Sequence, residues 1–373
     1  MEWELPQIKR SHHVVVNEQG DVCIGQIPGL SKIVRNPPSW FIPLLERLDG
    51  SKRIDDIIQE LRNLEYQVTR DEIFHIIQSL GQFNLLEDPQ RQSQLLSTEE
   101  LERYDRQILQ FSLCDRQGLP GFVYQEQLKN STVLILGVGG WGSWIALQLA
   151  LLGIGTLRLV DGDEVELSNL NRQVLYDRNS IGKPKVLAAQ EKIKEINPHV
   201  NCEVYEYFVG ADRQQIDKLV EGIDLIILAW TNLGIYCSEP ITETLHQVAL
   251  NKKIPLMEFG ADPLEVIVGP IYLQDGSCPS YSELQGTLKQ AFYSVDENIQ
   301  SFQKAEIMRN YRDGNRIVKN WHSCPALSIA SGMVADQAIK VLTNYDEPIL
   351  VGKRFKISLR TFESKIEFLH FDF

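Results

Sequence analysis

Several things are scarce in this 373-residue sequence, and each scarcity excludes something. Basic charge is one: 37 Lys and Arg stand against 50 Asp and Glu, for a net charge of −13. A chain this acidic has no broad face for a nucleic-acid backbone, although a local basic pocket is compatible with it. Paired cysteine is another. Cys23, Cys114, Cys202, Cys237, Cys278 and Cys324 are scattered, and no two form a CxxC. Reduced thiols in a cytoplasmic protein are the expected state. No apolar run is long enough for a membrane span: Ile145 to Ile154 is interrupted by Gln148 and Gly153. The opening residues, Met1 to Glu4, carry no secretory pattern, and no repeat or low-complexity tract occurs. What remains is 43% hydrophobic and 23% charged, an ordinary soluble balance with room for two domains.

The stretch from Ser131 to Lys185 is the most informative. An apolar run, Val133 to Leu136, leads into Gly137, Gly139, Gly140 and Gly142. A breaker-free apolar segment from Ser143 follows, then a second apolar run, Thr156 to Val160, ending at Asp161. The order predicted is strand, glycine loop, helix, strand, acid, which is that of a nucleotide-binding βαβ unit. Gly137 suits the tight turn out of the strand, Gly139 a close approach to phosphate, and Gly142 close packing of helix on sheet. The helix start offers N–H groups and a positive dipole end to an anion. Asp161 lies 19 positions past Gly142, where a carboxylate can accept from ribose hydroxyls.

Two cations follow closely, Arg172 and Lys185. A nicotinamide has little use for them, whereas a triphosphate does, and arginine can grip phosphate oxygens bidentately.

The run Asp161-Gly162-Asp163, Ser168-Asn169-Leu170-Asn171-Arg172-Gln173 and Gly182-Lys183-Pro184-Lys185, behind the glycine loop, resembles the ubiquitin-activating-enzyme superfamily of ThiF type. The resemblance implies a Rossmann-like α/β domain that binds ATP and Mg²⁺ and adenylates a carboxylate. It implies nucleotide contacts at Gly137, Gly139, Gly140, Gly142, Asp161, Asp163, Asn169, Arg172, Gln173, Lys185 and position 231. Arg172 and Lys185 would be catalytic. Arg103, Tyr104, Arg106 and Gln107 match a further mark of the superfamily, in which the second arginine, here Arg106, reaches the triphosphate of the other protomer. A homodimer is therefore expected.

Residues 1–90 read as a separate small α+β domain. His12–Val16 and Asp21–Gly25, joined through Asn17–Gly20, predict a hairpin with Gly20 in the turn. Helices are predicted over 39–48, 54–64 and 73–80, the last opened by a capping box from Thr69 to Glu72. This order resembles the winged-helix-like domain, PqqD-like, that recognises leader peptides in ribosomal natural-product biosynthesis. A DNA-reading winged helix is disfavoured, since Asp71 and Glu72 stand where cations are usual. Residues 91–99 form a polar linker, and 100–373 the nucleotide domain, with a crossover loop over about 284–321.

The sequence also departs from the superfamily. Thr231 stands where relatives carry an Asp that coordinates Mg²⁺, and a neutral hydroxyl is the poorer ligand. Asp163 and Glu258 are the candidate replacements. The place of the first zinc CxxC holds only Cys278, so no zinc is expected. Cys278 and Cys324 are the only downstream candidates for a thioester, with a structural role the better reading. The resemblance is compatible with two functions: ATP-dependent adenylation of a peptide carboxylate during maturation of a ribosomally made peptide, or a leader-binding scaffold that delivers the peptide to a separate cyclodehydratase. The partner expected in either case is a precursor peptide, with neither nucleic acid nor membrane.

Overall fold

The computed structural model describes residues 3–25, 27, 29–229, 240–261, 264–284, 298, 301–302, 305, 311–312, 315–316 and 323–369. The chain divides into two compact units, Met1–Gln127 and Leu128–Phe373.

In the first unit, strands β1 (Gln7–Ile8) and β5 (Leu86–Glu87) pair antiparallel. Strands β2 (Val14–Val16), β3 (Val22–Ile24) and β4 (Lys32–Val34) form an antiparallel sheet in that order. The hairpin turns at Gly20, whose φ of 86° only glycine adopts without strain. Three helices follow: α1 (Phe41–Arg47), α2 (Ile54–Asn63) and α3 (Arg70–Gln82). Thr69 and Glu72 close the capping box at the start of α3. The apolar stripes of the helices, among them Leu44, Ile57, Leu61, Ile73 and Ile77, meet Val22 and Ile24 in one core. Strand β4 is an addition to the expected hairpin.

Helices α4 (Thr98–Arg103) and α5 (Asp105–Cys114) break at Tyr104, and α6 (Gly121–Asn130) carries the chain across the boundary between units. A buried polar node lies in the first unit. The Lys9 ammonium is 3.1 Å from the Asp115 carboxylate and donates to the Ser112 carbonyl, while Tyr124 and Asn84 also donate to Asp115.

The second unit is built on an eight-stranded sheet. Its strands are β6 (Thr132–Leu136), β7 (Thr156–Val160), β8 (Asn201–Tyr205), β9 (Leu225–Leu228), β10 (Leu256–Ala261) and β11 (Glu265–Tyr272). After a two-residue pair, β12 (Tyr311–Arg312) and β13 (Asn315–Arg316), come β14 (Lys353–Ser358) and β15 (Ser364–Phe368). The order is β15-β14-β11-β10-β9-β6-β7-β8. Strands β8, β7, β6, β9 and β10 run parallel, and β11, β14 and β15 add antiparallel.

The parallel strands are covered on both faces, which is why Val133 to Leu136 and Leu225 to Ile227 are buried without alternation. Helices α7 (Gly140–Leu151) and α11 (Cys324–Thr343) pack against each other. Helices α8 (Lys185–Ile196), α9 (Arg213–Leu219) and α10 (Pro240–Lys252) complete the unit. Strand β6, flanked by β7 and β9, is where the strand order reverses, the place at which open α/β sheets receive ligands. Among the described residues no helix is long and apolar enough to cross a membrane.

Candidate nucleotide site

The site forms because Gly137 leaves β6 with a φ of 92° and turns the chain back over the strand end. Gly142, one turn into α7, then passes directly over that turn. A Cβ on Gly142 would lie 1.9 Å from the Gly137 carbonyl oxygen, an impossible contact, so the loop and the helix start can adopt this approach only with glycine. No side chain caps α7 at Gly139. Its first turn therefore presents backbone to whatever lies above it.

Asp161, at the end of β7, clamps the loop. Its carboxylate accepts from the Val138 N–H at 2.7 Å and from the Asp163 N–H at 2.9 Å. The group is only 9% exposed. Burial raises its pKa, against the opposing pull of the Lys185 charge and the two backbone N–H groups. Each oxygen keeps acceptor capacity beyond the bond it makes. Tyr176 donates to the Val138 carbonyl at 2.6 Å, so the loop is held from both its N–H and its C=O.

Lys185 begins α8, and its Nζ lies 2.7 Å from an Asp163 carboxylate oxygen. The lysine is buried whereas Asp163 is largely exposed. Arg172 follows a short turn organised by Asn169, whose buried side chain accepts from the Glu166 N–H. The Arg172 guanidinium donates to the Ser168 carbonyl and to Asn171, and its own carbonyl accepts from Trp144. A Cβ on Gly140 would sit 4.0 Å from Arg172 Nε, and one on Gly139 would sit 3.8 Å from Gln173 Nε2. Arg172 and Gln173 therefore border the glycine loop. Gln173 is 4% exposed, and its Oε1 has no hydrogen-bond partner among the described residues.

The structure thus brings together Gly137, Gly139, Gly140, Gly142, Asp161, Asp163, Asn169, Arg172, Gln173 and Lys185. Glu258 joins a separate cluster, accepting from Tyr272 at 3.1 Å and lying 3.0 Å from His246 Nε2. Arg106, on α5 in the first unit, is highly exposed and pairs with Asp105 at 3.4 Å. Thr231 and most of 284–321 lie outside the described residues. Cys278 and Cys324 are free thiols, and burial raises the pKa of Cys278, the opposite of nucleophilic activation. No group of three or more His, Cys, Asp or Glu placed to hold a metal ion occurs among the described residues.

One residue has no motif to announce it. Phe208 follows β8, and its ring lies 2.7 Å from where a Cβ on Gly162 would be. It leans over the backbone beside Asp161 while remaining 71% exposed. The only sequence signal is an aromatic three residues past a strand, opposite the glycine of the Asp161-Gly162-Asp163 triplet.

Fold and loop together define an α/β protein with a glycine turn at the point where the strand order of its sheet reverses. The chain belongs to the ThiF family, whose model matches residues 104–370, and a PaaA-like N-terminal domain matches residues 11–70. The molybdopterin-synthase adenylyltransferase of Escherichia coli K12 is 31% identical over 68% of this chain and 86% of its own length. A crystal structure of PaaA superposes with a TM-score of 0.78 at 44% identity, covering 97% of this chain and 99% of that one. E. coli MccB with ATP has the same fold, with a TM-score of 0.72 at 20% identity over 98% and 96% of the two chains. The chain spans about 61% of the length of other curated relatives that it matches.

Proposed function

We propose that this protein activates a peptide carboxylate with ATP during maturation of a ribosomally made peptide. The observation that carries the reading is the meeting of Arg172, Gln173, Lys185 and Asp161 around a glycine loop closed so tightly on α7 that a side chain is barred at Gly142. Such a loop admits the phosphates of ATP to the start of α7, where N–H groups and the helix dipole favour anions. Asp161 takes the ribose hydroxyls. Gln173 Oε1, buried and without a partner among the described residues, fits a hydrogen-bond donor on the bound nucleotide. Phe208 offers its ring to the base.

The reaction is a displacement at the α-phosphorus. A carboxylate oxygen of the peptide attacks, the bond to the β-phosphate oxygen breaks, and pyrophosphate leaves with the acyl-adenylate behind. Negative charge grows on the departing oxygens, and Arg172 and Lys185 stabilise it. The Lys185–Asp163 pair keeps that ammonium fixed at the strand end before ATP arrives. Mg²⁺ bound to the nucleotide would neutralise further phosphate charge, with Asp163 able to offer it an oxygen. Arg106 would serve the partner protomer's triphosphate in a homodimer. The PaaA-like N-terminal domain would hold the leader, raising the effective concentration of the core at the site.

The relatives support this reading. E. coli MccB has been crystallised with ATP, and the microcin C7 biosynthetic enzyme MccB in complex with N-formylated MccA. The similarity to PaaA spans both units. One feature favours the alternative of a delivery scaffold: Thr231 occupies the position where the superfamily carries its Mg²⁺-binding Asp.

Peptide-dependent release of pyrophosphate decides between the two. The full chain, ATP, Mg²⁺ and a precursor peptide should release pyrophosphate, and Lys185→Ala should reduce the rate by at least about a hundredfold. Peptide binding with no pyrophosphate from wild type, across candidate precursors, would leave the scaffold.

A further inference from the structure

Strand β15 closes one end of the main sheet. Among the described residues it pairs with β14 on one side and with no strand on the other. Ile366 is 45% exposed and Phe368 68% exposed. An open edge of this kind presents free N–H and C=O groups and is a template for another strand.

The ladder to β14 determines which groups those are. The Ser358 N–H donates to the Glu363 carbonyl at 2.9 Å, and the Leu369 N–H donates to the Gly352 carbonyl at 3.3 Å. Between these two rungs β15 keeps one antiparallel register, with Ile366 opposite Phe355 and Glu367 opposite Arg354. Hydrogen-bonded and non-hydrogen-bonded pairs alternate along such a ladder. Glu363, Lys365, Glu367 and Leu369 therefore bond inward to β14. Ser364, Ile366 and Phe368 turn their backbone groups outward.

That edge is complementary to itself. In an antiparallel pair with Ile366 opposite Ile366 of a second copy, every outward residue meets an outward residue. Ser364 meets Phe368 on either side of the centre, small against large, and each such pair exchanges two backbone hydrogen bonds. Lys365 of each copy then falls opposite Glu367 of the other, in the non-hydrogen-bonded pairs where side chains stand closest. Opposite charges at that position are stabilising. Within one strand Lys365 already lies 2.7 Å from Glu367, so cation and anion would alternate around the centre. The same chemistry rejects the neighbouring registers. A slip of one residue sets outward groups against inward ones. A slip of two sets Lys365 opposite Lys365, or Glu367 opposite Glu367, and like charges directly opposite are destabilising.

We propose that β15 is a docking edge for a second copy of this chain, paired antiparallel about a two-fold axis at Ile366. None of the residues in this contact belongs to the nucleotide site.

Cysteine cross-linking and sedimentation velocity on the full chain test this. Ile366→Cys brings the new thiol and its copy to a Cα separation of about 5.5 Å, within disulfide reach. Ser364→Cys stands about 14 Å from its own copy and is the control, beside wild type. Mild oxidation should give a covalent dimer from Ile366→Cys and no more from Ser364→Cys than from wild type. Cross-linking reads this contact whatever other association the chain makes. Ile366→Pro removes an outward N–H, which an edge strand tolerates, and should weaken this association at least about tenfold with the melting temperature unchanged. Lys365→Glu should weaken it about tenfold, less so in high salt. No covalent dimer from Ile366→Cys beyond the wild-type level would overturn the proposal, as would equal yields from Ile366→Cys and Ser364→Cys, or association of Ile366→Pro equal to that of wild type.

Discussion

His12 makes the first unit acid-sensitive by an amount that can be worked out. The ring is 8% exposed, its Nδ1 lies 3.0 Å from the Ser11 hydroxyl, and its backbone N–H donates to the Lys9 carbonyl. Burial, followed by the nearby Lys9 charge, lowers its pKa from 6.5 to about 4. The unfolded chain therefore binds a proton on His12 at a higher pH than the folded chain does. Stability tied to the neutral ring is complete above pH 6.5 and is lost as pH falls from there towards about 4. A shift of this size corresponds to about 3 kcal/mol. The perturbation is His12→Gln, which keeps a polar side chain but does not titrate. Hydrogen exchange followed by mass spectrometry on segments covering β2, β3 and α1 reports the opening free energy of this unit. Wild type should lose about 2–3 kcal/mol between pH 6.5 and 4.5, and His12→Gln should lose about 1 kcal/mol or less over the same window. Equal slopes for the two proteins would refute the reasoning.

Other outcomes follow from the same contacts. Lys9→Met leaves the Asp115 carboxylate buried without its cation, and should cost the first unit about 3–5 kcal/mol in urea melts or exchange; a loss below about 1 kcal/mol would mean that Tyr124 and Asn84 hold the charge alone. Gly142→Ala forces a Cβ into the Gly137 carbonyl, and should abolish ATP binding and lower the melting temperature of the second unit. Phe208→Ala removes the exposed ring beside Gly162, and should weaken ATP by roughly 5–100-fold, the range of one base stacked on an aromatic, while Phe208→Trp should bind normally. An unchanged Kd for Phe208→Ala would remove the ring from the site.

Much of the nucleotide unit could be read in advance because its signals are local. The glycine spacing, the acid at the end of the next strand and the run from Asn169 to Lys185 each determine backbone within a few residues. Long-range partners were not readable. Lys9 and Asp115 lie 106 positions apart, and nothing in either neighbourhood marks them as an ion pair. Strand β4 is three residues long, too short for alternation to declare itself. Glu258 reads as a Mg²⁺ candidate from its place at a strand end. The register shift in β10 instead goes with a side chain engaged by His246 and Tyr272, and a bulge is set by pairing with a distant strand. Phe208 carries no motif, and only folding brings it against Gly162. Asp161 has a role beyond the expected ribose contact: it ties the glycine loop to the sheet through Val138.

If Arg172 and Lys185 at the glycine loop hold ATP, removing one of them must weaken ATP binding. Calorimetry of ATP binding to the full chain, with Mg²⁺, on wild type and Arg172→Ala tests it most directly. Wild type should bind ATP saturably, and Arg172→Ala should bind it at least about tenfold more weakly, the cost of one charge-assisted phosphate grip. Wild type that binds precursor peptide but not ATP, or Arg172→Ala that binds ATP as tightly as wild type, would contradict it.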